Sequence, residues 1–357
     1  MKTHKLISFI AVIFFVFLGQ IFSQEDVNYL QKGNQKLESG HYKNAIRYYS
    51  SAIEINPTYA EAYYNRGAAH VELNEFDFAI ADFTKAIELN RNDTNAYINR
   101  GICYLQKEEY ELAIKDFNTA LKLQPDDEVA VFNRGFAYDN LKKYDLALLD
   151  YLQSLSAKQD DLDALNNLGM IYRKQKNYDS AYICFNRAIQ YSPDDYEAYF
   201  NRANLNKFLK KYKDSENDFD EALRLNPDYA PLYNGRGYLY LLTRDYEKAL
   251  VDFNNAIRLD ENYAFAYNNR GFAYCQLNNC EDAIKDFDKS ISLKPDNHSA
   301  FSNRGNTYYK EGKFLEAVRD WENAIKLNYK LYKELTAKIN EANLRITDAI
   351  GGGESRK

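Results

Sequence analysis

Seven arginines each stand sixteen residues before an aspartate: Arg66 and Asp82, Arg100 and Asp116, Arg134 and Asp150, Arg202 and Asp218, Arg236 and Asp252, Arg270 and Asp286, Arg304 and Asp320. A guanidinium can hold an anionic ligand, or it can be spent on an internal carboxylate. At two further places in the series both members change together: Lys32 faces Tyr48, and Leu168 faces Cys184. Joint loss favours pairing, an internal ladder of salt bridges, over arginines kept for a ligand. Other chemistry is sparse. His4, His41, His70 and His298 fall at unrelated positions, and Cys103, Cys184, Cys275 and Cys280 lack metal-ligand spacing. Cys280 stands where a core aromatic is expected, which predicts burial; Cys275 and Cys280 could meet across a turn, or pack there as thiols. Acid pairs such as Asp126-Asp127, Asp160-Asp161 and Asp194-Asp195 lie where helix N-termini need caps. No catalytic constellation, metal site or cofactor site is expected.

A second series precedes the arginines: Asn65, Asn99, Asn133, Asn201, Asn269 and Asn303, with Asn167 before Leu168 and Gly235 as the interruption. A primary amide both donates and accepts, so a row of amides suits a polypeptide backbone without reading its side chains. Both series need a scaffold that repeats. Small residues recur at Gly33, Gly67, Gly101, Gly135, Gly169, Ala203, Gly237, Gly271 and Gly305, every step being 34 residues. Five of the 6 prolines share one register: Pro57, Pro125, Pro193, Pro227 and Pro295. Each period reads as two amphipathic helices, as at Ala60 to about Leu73 and Phe76 to Leu89. Tyr63, Gly67 and His70 share one face there, and Ala79, Phe83 and Ala86 another. The small residue permits close approach of two helices, and the aromatic fills the space beyond. Pro-Asp, as in Pro227-Asp228, is expected to end one helix and cap the next. One pair cannot bury its own apolar face, so the pairs must stack.

The pattern resembles the tetratricopeptide repeat. The resemblance covers nine units from 26–59 to 298–331, with modest departures at Ser154, Ser215, Cys280 and Ser290. It implies an all-α fold, a right-handed solenoid whose first helices line a concave groove. In this family the Asn register faces that groove, and a similar asparagine ladder in the protein O-linked N-acetylglucosamine transferases holds an extended peptide. The resemblance therefore makes Asn65, Asn99, Asn133, Asn167, Asn201, Asn269 and Asn303 peptide-binding residues, the first five forming the main zone. Phe132, Phe136 and Phe200 are expected as aromatic anchors beside them. The other reading of the amides is that they bond neighbouring helices. The family's carboxylate clamp for chaperone tails needs a Lys before the groove Asn and an Arg in its place; no unit has either, so such a tail is not expected.

Around the repeats stand two further segments. Lys2 and Lys5 precede an apolar run, Leu6 to Leu18, which has the layout of a signal peptide over 1–23; an uncleaved membrane anchor is the alternative. The nine units fill 24–331. After them Leu335, Ile339, Ala342 and Ile346 share one face of an expected capping helix at 332–350, followed by a flexible tail at 351–357. With 46 Lys+Arg against 52 Asp+Glu, a net charge of −6 argues against nucleic acid as a partner. The sequence thus predicts an exported, periplasmic or extracellular, non-catalytic scaffold that takes a protein or peptide ligand and no small-molecule substrate. The alternative is a structural subunit of an envelope-associated or secretion complex, using its convex face or ends.

Overall fold

The computed structural model describes residues 24–351. The expected signal segment at 1–23 and the tail beyond Gly351 lie outside the described residues. First helices are α1 (24–38), α3 (Ala60–Glu72), α5 (Thr94–Gln106), α7 (Glu128–Asn140), α9 (Leu162–Lys174), α11 (Tyr196–Phe208), α13 (Ala230–Thr243), α15 (Ala264–Gln276) and α17 (His298–Lys310). Second helices are α2 (Tyr42–Ile55), α4 (Phe76–Leu89), α6 (Tyr110–Leu123), α8 (Tyr144–Ala157), α10 (Tyr178–Tyr191), α12 (Tyr212–Leu225), α14 (Tyr246–Leu259), α16 (Cys280–Leu293) and α18 (Phe314–Leu327). A 3-10 turn, Tyr329–Leu331, leads into α19 (Tyr332–Gly351). Among the described residues there is no strand, and no helix is long and apolar enough to cross a membrane. The chain divides into two compact units, one ending at Asn177 and the other beginning at Tyr178.

The turn inside every repeat is built the same way. One residue takes a left-handed backbone: Gly40 and Gly312 in the first and ninth repeats, and Asn74, Glu108, Lys142, Lys176, Lys210, Arg244 and Asn278 between them. In the second repeat Asn74 N donates to Val71 O at 2.8 Å and Glu75 N to His70 O at 2.9 Å, which closes the end of α3. A left-handed conformation costs a non-glycine residue about 1–2 kcal/mol. These turns tolerate it because the hydrogen bonds and the packing on both sides fix the reversal. Between repeats, Asp93, Asp127, Asp161 and Asp195 accept from backbone N–H groups of the following helix and so cap it. The cap expected from Asp228 does not form: Tyr229 is the N-cap of α13 and makes no side-chain bond. Pro231, in the first turn of α13, presets the helical φ instead.

Close approach explains the small residues. A Cβ on Gly67 would lie 2.9 Å from Phe83 Cε1, and one on Gly101 2.7 Å from Phe117 Cε1. The two phenylalanines are fully buried, and burying each such side chain stabilises by about 1.5–3 kcal/mol. The first and last repeats use polar aromatics at this place. Tyr49 Oη donates to Asn34 Oδ1 at 2.9 Å, and Trp321 Nε1 to Asn306 Oδ1 at 3.2 Å. Beyond the ninth repeat, Leu335 and Ala342 of α19 are buried against Ala317, Trp321 and Ala324, with Ile339 packed beside them.

Candidate functional site

The arginines are internal. Arg134 Nε and Nη2 donate to Asp150 at 2.9 and 2.7 Å, a bidentate pair, and Nη1 donates to Asn118 Oδ1 at 2.8 Å on the preceding second helix. Each guanidinium of the series therefore ties its own repeat to the one before. The third partner is Ser50 for Arg66, Thr84 for Arg100, Asn186 for Arg202 and Asn254 for Arg270. It is a carboxylate for Arg236, which meets Asp220, and for Arg304, which meets Asp288. Hydrogen bonding to Asp82 and Asp150 holds the Arg66 and Arg134 guanidiniums further into their charged form, against the effect of burial. Burial pushes the Asp252 and Asp286 carboxyls up, and the facing arginines oppose it. The third partner was not foreseen, although polar residues sixteen positions before each Arg, and Leu152 before Leu168, carried the signal.

In the unit ending at Asn177, the asparagines bond in different ways. Asn65 Nδ2 donates to Asn34 Oδ1 at 3.0 Å and Asn99 Nδ2 to Tyr64 Oη at 2.8 Å, each reaching the preceding first helix. Asn133 Nδ2 donates to Val129 O at 2.8 Å, within its own helix. Asn167 is half-buried on α9. Around Asn133 lies a depression of about 410 Å³ lined by Ile102, Leu105, Tyr110, Phe132 and Phe136. Phe132 leans on Tyr151, ring centroids 5.6 Å apart, while Phe136 is more open.

In the unit beginning at Tyr178, the amides form a continuous chain. Asn303 Nδ2 donates to Asn268 Oδ1 at 3.0 Å, and Asn268 Nδ2 to Asn269 Oδ1 at 3.1 Å. Asn269 Nδ2 donates to Asn234 Oδ1 at 3.0 Å, and Asn234 Nδ2 to Tyr263 Oη at 3.3 Å. Each bond polarises the next, so such a chain orients its members. An amide has two N–H donors, and these bonds use one on each. Asn234 and Asn268 were missed in sequence; they stand one residue before the ladder, where Tyr64 and Phe132 stand in the other unit. Beside the chain is a depression of about 490 Å³, lined by Tyr238, Leu242, Phe265 and Phe272 together with Asn268, Asn269 and Asn303. Phe200 is instead mostly packed, its ring 6.1 Å from Phe219 and 6.4 Å from Tyr229. Asn201, in the same helix as Phe200, is half-buried. The break at Gly235 has a steric cause: a Cβ there would lie 2.7 Å from Phe219 Cε1 and 3.3 Å from Phe200 Cε2.

The second helices differ as well. Phe78, Leu112 and Leu146 occupy one register of α4, α6 and α8 and are 64%, 44% and 44% exposed. Asp214, Lys248, Asp282 and Glu316 occupy that register in the later repeats. All four cysteines are free, with Cys280 half-buried rather than buried as expected. Among the described residues no His, Cys, Asp or Glu cluster could hold a metal ion.

Models of the tetratricopeptide repeat match residues 60–93, 94–127, 162–195 and 230–263, 298–331, and 130–161 and 196–229. A further model described as TPR repeat matches 33–74 and 273–312. Comparison with curated proteins finds no match in sequence. Among solved structures, a tetratricopeptide repeat protein from Parabacteroides merdae is 22% identical with a TM-score of 0.60, over 70% of this chain and 98% of that one. The Cut9–Hcn1 hetero-tetramer of the APC/C is 14% identical with a TM-score of 0.59, over 88% of this chain and 75% of that one. Pseudomonas aeruginosa pilF is 22% identical with a TM-score of 0.51, over 58% and 94%. At these identities the likeness is one of fold. The repeat matches, from residue 33 to residue 331, leave little else, and the chain belongs to the tetratricopeptide repeat family, a protein–protein interaction scaffold.

Proposed function

We propose that this protein is an exported, non-catalytic scaffold that holds an extended polypeptide along its first helices. Asn65, Asn99, Asn133, Asn167, Asn201, Asn269 and Asn303 meet the ligand backbone, and the neighbouring aromatics meet its side chains. The observation that carries the reading is the depression lined by Phe265 and Phe272 together with the oriented amides of Asn268, Asn269 and Asn303. That pairing suits a backbone carrying an apolar side chain, because the amides match its polar edge and the rings its apolar one. It moves the main contact zone from the first five asparagines to the last two, where the amides are oriented by one another. Export rests on Lys2, Lys5 and the apolar run that follows. Sequencing the N-terminus of the protein recovered from fractionated cells tests it, and an intact Met1 in a cytoplasmic fraction would remove it.

Tyr238 and Phe265 are 43% and 47% exposed, so Tyr238→Ser with Phe265→Ser should leave melting nearly unchanged, within about 0.5 kcal/mol. Loss of two aromatic anchors should weaken capture of the native partner by at least about tenfold. Equal recovery of the partner by the variant rejects this face. One observation favours the other reading, a structural subunit of an envelope-associated complex: the exposed row Phe78, Leu112 and Leu146 lies on the second helices. If Leu112→Lys with Leu146→Lys loses the partner while the aromatic variant keeps it, that reading stands in place of the first.

A further inference from the structure

Cys275 stands in the last turn of α15 and Cys280 begins α16, and in this fold their two registers touch. In the ninth repeat the same registers hold Tyr309 and Phe314, whose ring centroids are 5.2 Å apart. In the third they hold Leu105 and Tyr110, which share one core cluster. Every other repeat carries Tyr or Phe at the register of Cys280, and none carries Cys at that of Cys275. Two thiols thus stand together at registers that touch, and both are half-buried while Cys103 and Cys184 are buried.

The surroundings fix the turn between them. Asn278 takes a left-handed backbone at φ 63°, and Asn279 N donates to Tyr274 O at 2.9 Å. From α17, Lys310 Nζ donates to Cys275 O at 3.1 Å and to Asn278 Oδ1 at 2.7 Å, and Thr307 Oγ1 donates to Cys275 Sγ at 3.4 Å. Burial raises the Cys280 thiol first. The adjoining Cys275 raises it further, through its charge and a hydrogen bond, and the Lys310 ammonium acts the other way.

We infer that Cys275 and Cys280 are a redox-active dithiol that closes to an intrachain disulfide by exchange with a low-molecular-weight disulfide. One thiolate attacks the external disulfide, forming a mixed disulfide and releasing one small thiol. The second thiolate attacks the protein sulfur of that mixed disulfide, forming the Cys275–Cys280 bond and releasing the second small thiol. The protein loses two protons and two electrons, and the external disulfide is reduced to two thiols. The step draws only on the thiols and their turn, so it stands or falls apart from the groove reading. In an oxidising compartment it holds the pair closed.

No Lys or Arg lies between the two cysteines, so trypsin leaves both on one peptide, residues 271–285. The full-length protein, reduced and then treated natively with oxidised glutathione, is blocked with N-ethylmaleimide, unfolded, blocked again and digested. The expected result is a 271–285 peptide lighter by two hydrogens and free of maleimide, while Cys103 and Cys184 react once unfolded. With Cys280→Tyr, the residue usual at that register, Cys275 should instead retain glutathione. A wild-type 271–285 peptide that carries two maleimides, or that keeps glutathione on either cysteine, overturns the inference.

Discussion

In the unit ending at Asn177, Arg66, Arg100 and Arg134 each grip one aspartate and one neutral side chain of the preceding repeat: Ser50, Thr84 and Asn118. In the unit beginning at Tyr178, Arg236 and Arg304 grip two carboxylates each. The small residue against the aromatic is common to both units, as at Gly101 with Phe117 and Gly237 with Phe253. What differs lies on top of this frame. The earlier unit exposes Phe78, Leu112 and Leu146 on its second helices, and the later one carries Ser180 and then Asp214, Lys248, Asp282 and Glu316 there. The later unit joins Asn303, Asn268, Asn269 and Asn234 into one chain, whereas Asn65, Asn99 and Asn133 of the earlier one donate to three unlike acceptors, Asn34, Tyr64 and Val129. Each repeat must keep the contacts that stack it, so only the remaining positions are free to diverge.

The largest expected effect tests whether the frame is equally strong in both units. Asp150→Ala removes a buried carboxylate and leaves the half-buried Arg134 guanidinium with only the neutral Asn118, and breaking a largely buried pair in this way costs up to about 3–5 kcal/mol. Asp252→Ala leaves Arg236 with Asp220, still a charged partner. Its cost should be smaller by at least about 1 kcal/mol, the scale of one charge-assisted bond. Urea unfolding of the two variants side by side measures the difference. Equal costs would mean that the second carboxylate contributes nothing and that the two units share one kind of clamp.

A smaller effect probes the break in the ladder. Gly235→Asn would restore the amide series but place a Cβ 2.7 Å from Phe219 Cε1. Overpacking of this kind costs about 1–3 kcal/mol. Removing a glycine from the middle of a helix returns about 0.5–1 kcal/mol, so the clash wins and the variant should melt earlier. A variant as stable as the parent would show that Phe219 and Phe200 yield easily, and would take away the steric account of the break.

The repeat, its helices and the arginine–aspartate pairs were legible because each is a periodic choice of residue type, and the shared exception at Leu168 and Cys184 exposed the pairing. The partners of the asparagines were not legible. An amide donates to whatever acceptor its neighbour offers, and that acceptor changes from Tyr64 to Val129 to Asn234 without any period. The left-handed turns were hidden for another reason. Only Gly40 and Gly312 announce them, while Glu108, Lys142 and Lys210 take the same backbone under tertiary constraint.

The smallest effect concerns a flaw in the core of the earlier unit. Tyr151 fills the place of Phe83 and Phe117, is fully buried, and its hydroxyl has no hydrogen-bond partner among the described residues. Burial holds the phenol well above its ordinary pKa, so the group stays neutral but unsatisfied. Tyr49 and Trp321 avoid this because Asn34 and Asn306, each one residue after the small residue, accept their protons. The corresponding residue facing Tyr151 is Phe136, which offers no acceptor. An unmade buried hydrogen bond costs about 1–3 kcal/mol, and deleting the hydroxyl removes that cost while leaving the ring in place. Tyr151→Phe should therefore raise stability, by about 1 kcal/mol. Phe136→Asn should also satisfy the hydroxyl but give up a ring of the Asn133 depression, so its gain should be smaller. Thermal melting of the three proteins gives the order Tyr151→Phe above Phe136→Asn above parent. If Tyr151→Phe melts below the parent, the hydroxyl has a partner after all, and the earlier unit has no such flaw.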